Sequence, residues 1–125
     1  METLFYDKGV YDLEVLNISF RFAMDIFESG RPFPKNELHS LTDQVKRSSK
    51  SIAANIAEGW RRRSYENEFK KHLVDAVGSL EETKIWLLFA KECGYLSMSA
   101  YQSFCGSYDE LGAKIHALLR NWKIV

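Results

Sequence analysis

The chain has 125 residues, of which 46% are hydrophobic and 27% charged, with only 2 prolines and 7 glycines; one ordinary hydrophobic core fits this length, and disordered, collagen-like or low-complexity chains are excluded. Seventeen basic residues against seventeen acidic ones leave no formal net charge, so a uniformly basic surface is excluded and any nucleic-acid contact must be a local patch. Cys93 and Cys105 fall within apolar helical patterns and lack the density of a secreted disulfide scaffold, which predicts reduced thiols at core or boundary positions. No stretch approaches the ~18 apolar residues that a membrane span needs. The start of the sequence lacks the basic, then apolar, pattern of a signal peptide, and the expected location is cytoplasmic.

In chain order, four amphipathic helices are predicted, at roughly 12–29, 40–59, 65–93 and 98–122. Asp12 is a plausible N-cap for the first, with Glu14 near the positive end of the helix dipole. Val15, Ile18, Phe22 and Ile26 form one helical row, and Leu16, Phe20, Ala23 and Phe27 a second. Leu16, Ile18, Phe20 and Phe22 also alternate as in a strand, but nothing later offers a strand partner. Gly30 and the segment Arg31-Pro32-Phe33-Pro34 end the helix, because proline lacks a donor and restrains its predecessor.

The second helix is expected to follow Ser40 as N-cap, with Asp43 three residues on. Leu41, Val45, Ser48, Ile52, Asn55 and Gly59 alternate steps of four and three, the repeat that holds one stripe against a partner helix. Ser51, Ala53, Ala54 and Ala57 add small residues that permit close approach. Gly59 is read as the stop, Trp60 to Arg63 as a short connection, and Ser64 as the cap of the third helix. There Phe69, Leu73, Ala76, Leu80, Thr83, Leu87 and Ala90 carry the same spacing through six steps. Val74, Val77, Ile85 and Leu88, with Trp86 and Phe89, widen its apolar surface beyond one seam. Gly94 closes it, and Ser97 or Ser99 caps a fourth helix with the row Tyr101, Phe104, Tyr108, Leu111, Ile115, Leu118 and Trp122. Short connections make the expected fold an all-α, antiparallel up-and-down four-helix bundle spanning 1–125 as one domain.

A bundle core can hold a di-iron site, but His39, His72 and His116 each lack a Glu three residues before them. Glu68 and His72, flanked by Lys70 and Lys71, read as a solvated helix surface. No metal, cofactor or catalytic residue is predicted: neither cysteine has an activating environment, and the scattered glycines make no phosphate loop.

Charge is uneven despite the neutral total. Residues 1–45 carry four basic and eight acidic side chains, residues 46–72 eight and three, and residues 73–125 five and six. The eight are Lys46, Arg47 and Lys50 on the outer part of the second helix, Arg61, Arg62 and Arg63 in the following turn, and Lys70 and Lys71 early in the third. Arginine's planar fork suits phosphate, so a contact with RNA, DNA or an acidic partner is expected here. The competing reading is that these cations offset the dipole at the end of the second helix and solubilise a loop.

From Leu41 the residues carry a resemblance. LTDQVKRSSKSIAANIAEG at 41–59, then Arg62-Arg63-Ser64, Glu68-Phe69, Leu73, Gly78-Ser79-Leu80-Glu81-Glu82 and Ala90 to Leu96, resemble the four helix bundle proteins encoded in intervening sequences of bacterial 23S ribosomal RNA genes. Asp12 to Val15 matches the usual opening of helix one and Phe33-Pro34 the usual link, while helix four matches only in pattern. Arg61 departs from the family, which often has a small residue there. The resemblance implies a homopentamer. It also implies kinship with the accessory protein of diversity-generating retroelements, a pentameric barrel whose basic surface engages a reverse transcriptase and RNA. Asn55 and Glu58 on helix two, with Ser79 and Glu82 on helix three, are expected to form interhelical or intersubunit hydrogen bonds that fix register.

The expected function is thus a non-enzymatic oligomeric bundle. It would bind RNA, DNA or a nucleic-acid enzyme through the basic patch. The alternative is a structural or protein-interaction module whose partner packs on the second apolar face of helix three.

Overall fold

The computed structural model describes residues 13–122, and the Asp12 cap lies outside them. Four α-helices account for most of this span: α1 (Glu14–Ser29), α2 (Leu41–Arg61), α3 (Glu66–Glu92) and α4 (Met98–Asn121). A single 3-10 turn, Lys35–Glu37, lies between α1 and α2. Among the described residues there is no strand, so the alternating stretch at 16–22 is helical, as its second periodicity requires.

Cross-helix contacts fix the directions. Ser48 meets Thr83, Ser51 meets Ser79 and Asn55 meets His72, so α3 descends as α2 rises. Lys84 meets Asp109 while Lys91 lies over the Tyr101 ring, and Phe22 meets Tyr108 while Glu14 meets Lys114, which makes α3–α4 and α1–α4 antiparallel too. Lys46 lies over the Phe27 ring, giving the same sense to α1–α2. Each helix thus packs on its sequential neighbours and α4 returns to α1, with the closest packing between α2 and α3.

The four-three rows supply the core. All seven seam residues of α3 are buried, as are Leu41, Val45, Ser48, Ile52 and Gly59 on α2 and Tyr108, Leu111 and Ile115 on α4. Full burial of a Leu, Ile or Phe side chain contributes roughly 1.5–3 kcal/mol each, and Phe69, Leu73, Ile52, Ile56 and Ile115 have no exposed surface. The second row of α1 divides: Leu16 and Ala23 are buried, but Phe20 and Phe27 stay over a third exposed, facing a groove rather than the core.

Both ends of the bundle are clamped by side chains from different helices. At one, Trp60, Phe69 and Trp122 pack edge to face with centroids 4.9–6.0 Å apart. At the other, Phe33, Leu41 and Ala90 form a smaller core with Tyr95 and Leu96 against it. The Tyr95 hydroxyl donates to the Glu37 carboxylate at 2.9 Å. Hydrogen bonds from Ser40 and then Tyr95 hold the Glu37 carboxyl below its ordinary range.

The stop at Gly94 and the cap at Ser97 are as expected, and other helix ends depart from expectation. Gly94 takes φ +81°, a backbone region open to glycine at little cost, and this turns the chain after α3. Ser97 caps α4, its hydroxyl accepting from the Ala100 N–H at 3.1 Å. Ser40 stands at the N-cap position of α2 without capping it, because its hydroxyl is drawn to the Glu37 carboxylate. Ser64 lies one residue too early to cap α3; the N-cap is Tyr65, and Glu66 and Glu68 in the first turn complement the dipole instead. Cys93 is exposed, carried outward where α3 ends, rather than lying at a core or boundary position; Cys105 is half-buried, and both are free thiols.

Gly59 is the main correction. It does not stop α2, which runs on through Trp60 and Arg61. Its role is steric: a Cβ there would stand 2.6 Å from the His72 Cβ and 3.2 Å from the Phe69 ring. The glycine marks a close approach of α3 to α2, not a helix end.

Candidate interaction surfaces

The α2–α3 seam carries a ladder of small polar side chains. Thr83 Oγ1 lies 2.8 Å from Ser48 Oγ across the interface and 2.8 Å from the Ser79 carbonyl on its own helix. One turn on, Ser51 Oγ and Ser79 Oγ are 2.9 Å apart, and Asn55 Nδ2 donates to the Ser51 carbonyl at 3.0 Å. His72 Nδ1 then faces Asn55 Oδ1 at 3.4 Å and Glu58 Oε2 at 3.7 Å. Three of the four residues expected to set register, Asn55, Glu58 and Ser79, are therefore joined, with Ser51 and His72 as links. Glu82 is exposed and stands outside the ladder.

His72 was expected on a solvated surface and is instead 8% exposed, because the side-chain-free Gly59 lets α3 press its imidazole against α2. Glu68 does not share its environment; it pairs with Arg62 at 3.5 Å. The buried members Ser48, Thr83 and His72 could have been found from the sequence, since two of them occupy seam positions. Polar residues at seam positions need partners across the interface. Among the described residues, no group of three or more His, Cys, Asp or Glu side chains is placed to hold a metal ion.

The eight expected cations separate into two kinds. Six engage neighbours: Arg47 with Asp43 at 3.7 Å, Arg62 with Glu68, Lys70 with Glu66 and Lys71 with Asp75 at 3.9 Å each for the lysines, Lys46 over Phe27 at 4.8 Å, and Arg63 over Trp60 at 4.4 Å. Arg63 also folds back to donate to the Trp60 carbonyl at 2.9 Å, at the end of α2, where the Arg63 backbone N–H also donates at 3.2 Å. Lys50 and Arg61 make no ion pair among the described residues, and both are exposed. Exposed pairs such as these hold their partners by less than ~1 kcal/mol, so a phosphate could compete for the same cations.

Gln44, Arg47, Lys50, Ala54, Glu58 and Arg61 are the exposed residues of α2 and follow one another at three- and four-residue steps. They form one outward stripe. Lys50 and Arg61 stand about 16 Å apart along it at 1.5 Å per residue. Arg61 belongs to the last turn of the helix rather than to the connection, next to Trp60 of the aromatic cluster. The stripe is basic overall but not continuous, since Glu58 interrupts it.

A different surface lies on α3. Val74, Ile85 and Phe89 are 56%, 50% and 53% exposed. The second apolar row expected there divides: Val77 and Trp86 pack against the core, while Val74, Ile85 and Phe89 remain exposed.

No helix among the described residues is long and apolar enough to cross a membrane. No curated protein matches the chain. A solved structure does: the crystal structure of a protein of unknown function from the S23 ribosomal protein family of Bacteroides thetaiotaomicron VPI-5482 is similar, with 26% sequence identity and a TM-score of 0.75, covering 86% of this chain and 99% of that one. The family model described as 23S rRNA-intervening sequence protein matches residues 11–117. That span takes in all of α1 to α3 and most of α4, and the chain belongs to the 23S rRNA-intervening sequence protein family.

Proposed function

We propose that the chain is a non-enzymatic scaffold that assembles with copies of itself and contacts nucleic acid through the outer stripe of α2 and the α2–α3 turn. The observation that carries this reading is the concentration of cations there in a chain with no net charge. Eight basic side chains fall within residues 46–72, Lys50 and Arg61 are exposed and make no ion pair among the described residues, and Arg62 and Arg63 are exposed beside them. The attraction is to the phosphate backbone, so the interaction is salt-dependent and weakly selective for sequence. RNA or DNA would satisfy this chemistry, as would a nucleic-acid enzyme such as a reverse transcriptase already carrying one.

Assembly strengthens the case. Five copies, as the resemblance of the Asn55 to Gly59 block implies, would repeat a modest patch into a ring and multiply its effective concentration. The exposed Val74, Ile85 and Phe89 on α3 are the proposed contact between copies. The same face supports the second reading, a protein-interaction module whose partner covers α3 and which has no nucleic-acid role.

Replacing Arg61, Arg62 and Arg63 together by Glu tests the main reading. Binding of the wild-type chain to a labelled structured RNA, followed by anisotropy, is expected to weaken steeply with salt and to be lost in the triple variant at unchanged helicity. Absent or salt-independent binding by the wild type would overturn it. A protein partner retained by the triple variant but lost by Ile85→Glu would select the second reading.

A further inference from the structure

The groove between α1 and α2 encloses about 340 Å³. Apart from Phe20, which has an interaction of its own, its walls are Ala23, Met24 and Phe27 of α1 and Ala53 of α2, with Lys46 and Lys50 on the α2 side. Met24 and Phe27 remain 46% and 39% exposed. No acidic side chain among the described residues lines the groove, and neither lysine makes an ion pair among them. Lys46 and Lys50 are one helical turn apart and so share a face of α2. An apolar trough with two cations and no anion matches a molecule that is itself apolar along its length and anionic at one end.

The walls narrow the class further. Lys46 and Arg31 lie over the Phe27 ring, 4.8 and 4.9 Å from its centroid, so the ring face that a stacked nucleobase would need is taken. Met24, unbranched and flexible, adapts to an alkyl chain. A volume near the lower end of the ~300–1,000 Å³ of small-molecule sites sets a chain of medium length. We propose that the groove binds a free medium-chain carboxylate, its alkyl chain along Met24, Phe27 and the two alanines and its carboxylate accepting hydrogen bonds from the Lys46 and Lys50 ammonium groups. Lys50 belongs to the outer stripe of α2 as well, but Arg61, Arg62 and Arg63 do not line the groove. Carboxylate binding and nucleic-acid binding are therefore separable.

Calorimetric titration of the full chain with hexanoate, octanoate and decanoate, each below its micellar concentration, tests this. One saturable site per chain is expected, with affinity rising about fourfold for each methylene that the groove buries. Lys46→Gln together with Lys50→Gln is expected to weaken decanoate binding several-fold. Met24→Glu, which sets a carboxylate on an exposed part of the wall, is expected to abolish it, and both variants should leave circular dichroism unchanged. Decyltrimethylammonium is expected not to bind, and the triple variant with Glu at positions 61 to 63 is expected to bind decanoate as the wild type does. Absence of a saturable site, equal affinity for the three chain lengths, binding that Met24→Glu leaves untouched, or comparable binding of decyltrimethylammonium would each overturn the assignment. So would loss of decanoate binding in the triple variant, since the carboxylate would then be held by the general charge of the surface.

Discussion

The α2–α3 pair and the α1–α4 pair use similar small polar residues and arrive at opposite structures. On α2, Ser48, Ser51 and Gly59 face Thr83, Ser79 and His72, so each small side chain meets a partner and the helices close on one another. On α4, Ala100, Ser103 and Ser107 face α1 across open clefts of about 280 and 350 Å³ shared with Phe22 and Asp25. Tyr108 is buried there, and burial, with Asp25 nearby, raises its phenol far above the ordinary value. Small residues permit close packing only where the opposite helix offers complementary groups. The charge differs too: the tight pair presents the basic stripe outward, while the clefts of the loose one mix Asp25, Glu28 and Glu110 with Arg21 and Lys114.

The largest expected effect is at the aromatic end of the tight pair. Phe69→Ala removes a side chain with no exposed surface that touches both Trp60 and Trp122; a loss of about 3–5 kcal/mol is expected by urea denaturation. Phe22→Ala, at a half-buried position on the cleft, is expected to cost clearly less. Equal losses would mean that the two halves are packed alike.

A smaller effect separates two glycines. Gly59→Ala places a methyl 2.6 Å from the His72 Cβ, an overpacking expected to cost about 1–3 kcal/mol despite alanine's better helix propensity. Gly112→Ala meets only Leu80 Cδ1 at 3.7 Å, so propensity prevails and thermal stability is expected to rise, by up to ~1 kcal/mol. A stabilising Gly59→Ala would remove the close approach on which the account of α2–α3 depends.

The smallest effect is electrostatic. Lys84 reaches Asp109 of α4 at 2.6 Å, and that hydrogen bond raises the lysine above its ordinary value. A raised lysine contributes while protonated, so its contribution is present below the lysine's unfolded value and disappears as pH rises through the folded one. Asp109 is largely exposed, and Asp109→Asn is expected to cost under ~1 kcal/mol at neutral pH. The difference from wild type should shrink on strongly alkaline titration, followed by thermal unfolding.

Much of this contrast was legible in the sequence. The seam of α3 appears in the structure residue for residue, because an unbroken four-three spacing fixes which face is buried whatever the partner. Gly59 misled because glycine before a run of cations has two physical meanings, a helix stop or a close crossing, and only the position of His72 on the opposing helix decides between them. The second row of α1 misled for a related reason. Periodicity places Phe20 and Phe27 on one face but does not say whether a helix, a groove or another segment lies opposite. The basic residues could be counted from the sequence, but their pairing could not: Arg62 with Glu68 depends on the α2–α3 turn, and the lack of an ion pair at Lys50 and Arg61 among the described residues on the outward rotation of α2.

The slope of binding against salt bears most directly on the central claim, that a neutral chain acts through cations displayed on the outside of its tight helix pair. Each phosphate neutralised contributes close to one to the log–log slope on duplex and somewhat less on single strands. For a structured RNA, replacing Lys50 and Arg61 together by Gln is expected to reduce that slope by roughly 1–2 while helicity and assembly stay unchanged. An unchanged slope, or equal affinity in wild type and variant at every salt concentration, would contradict the account.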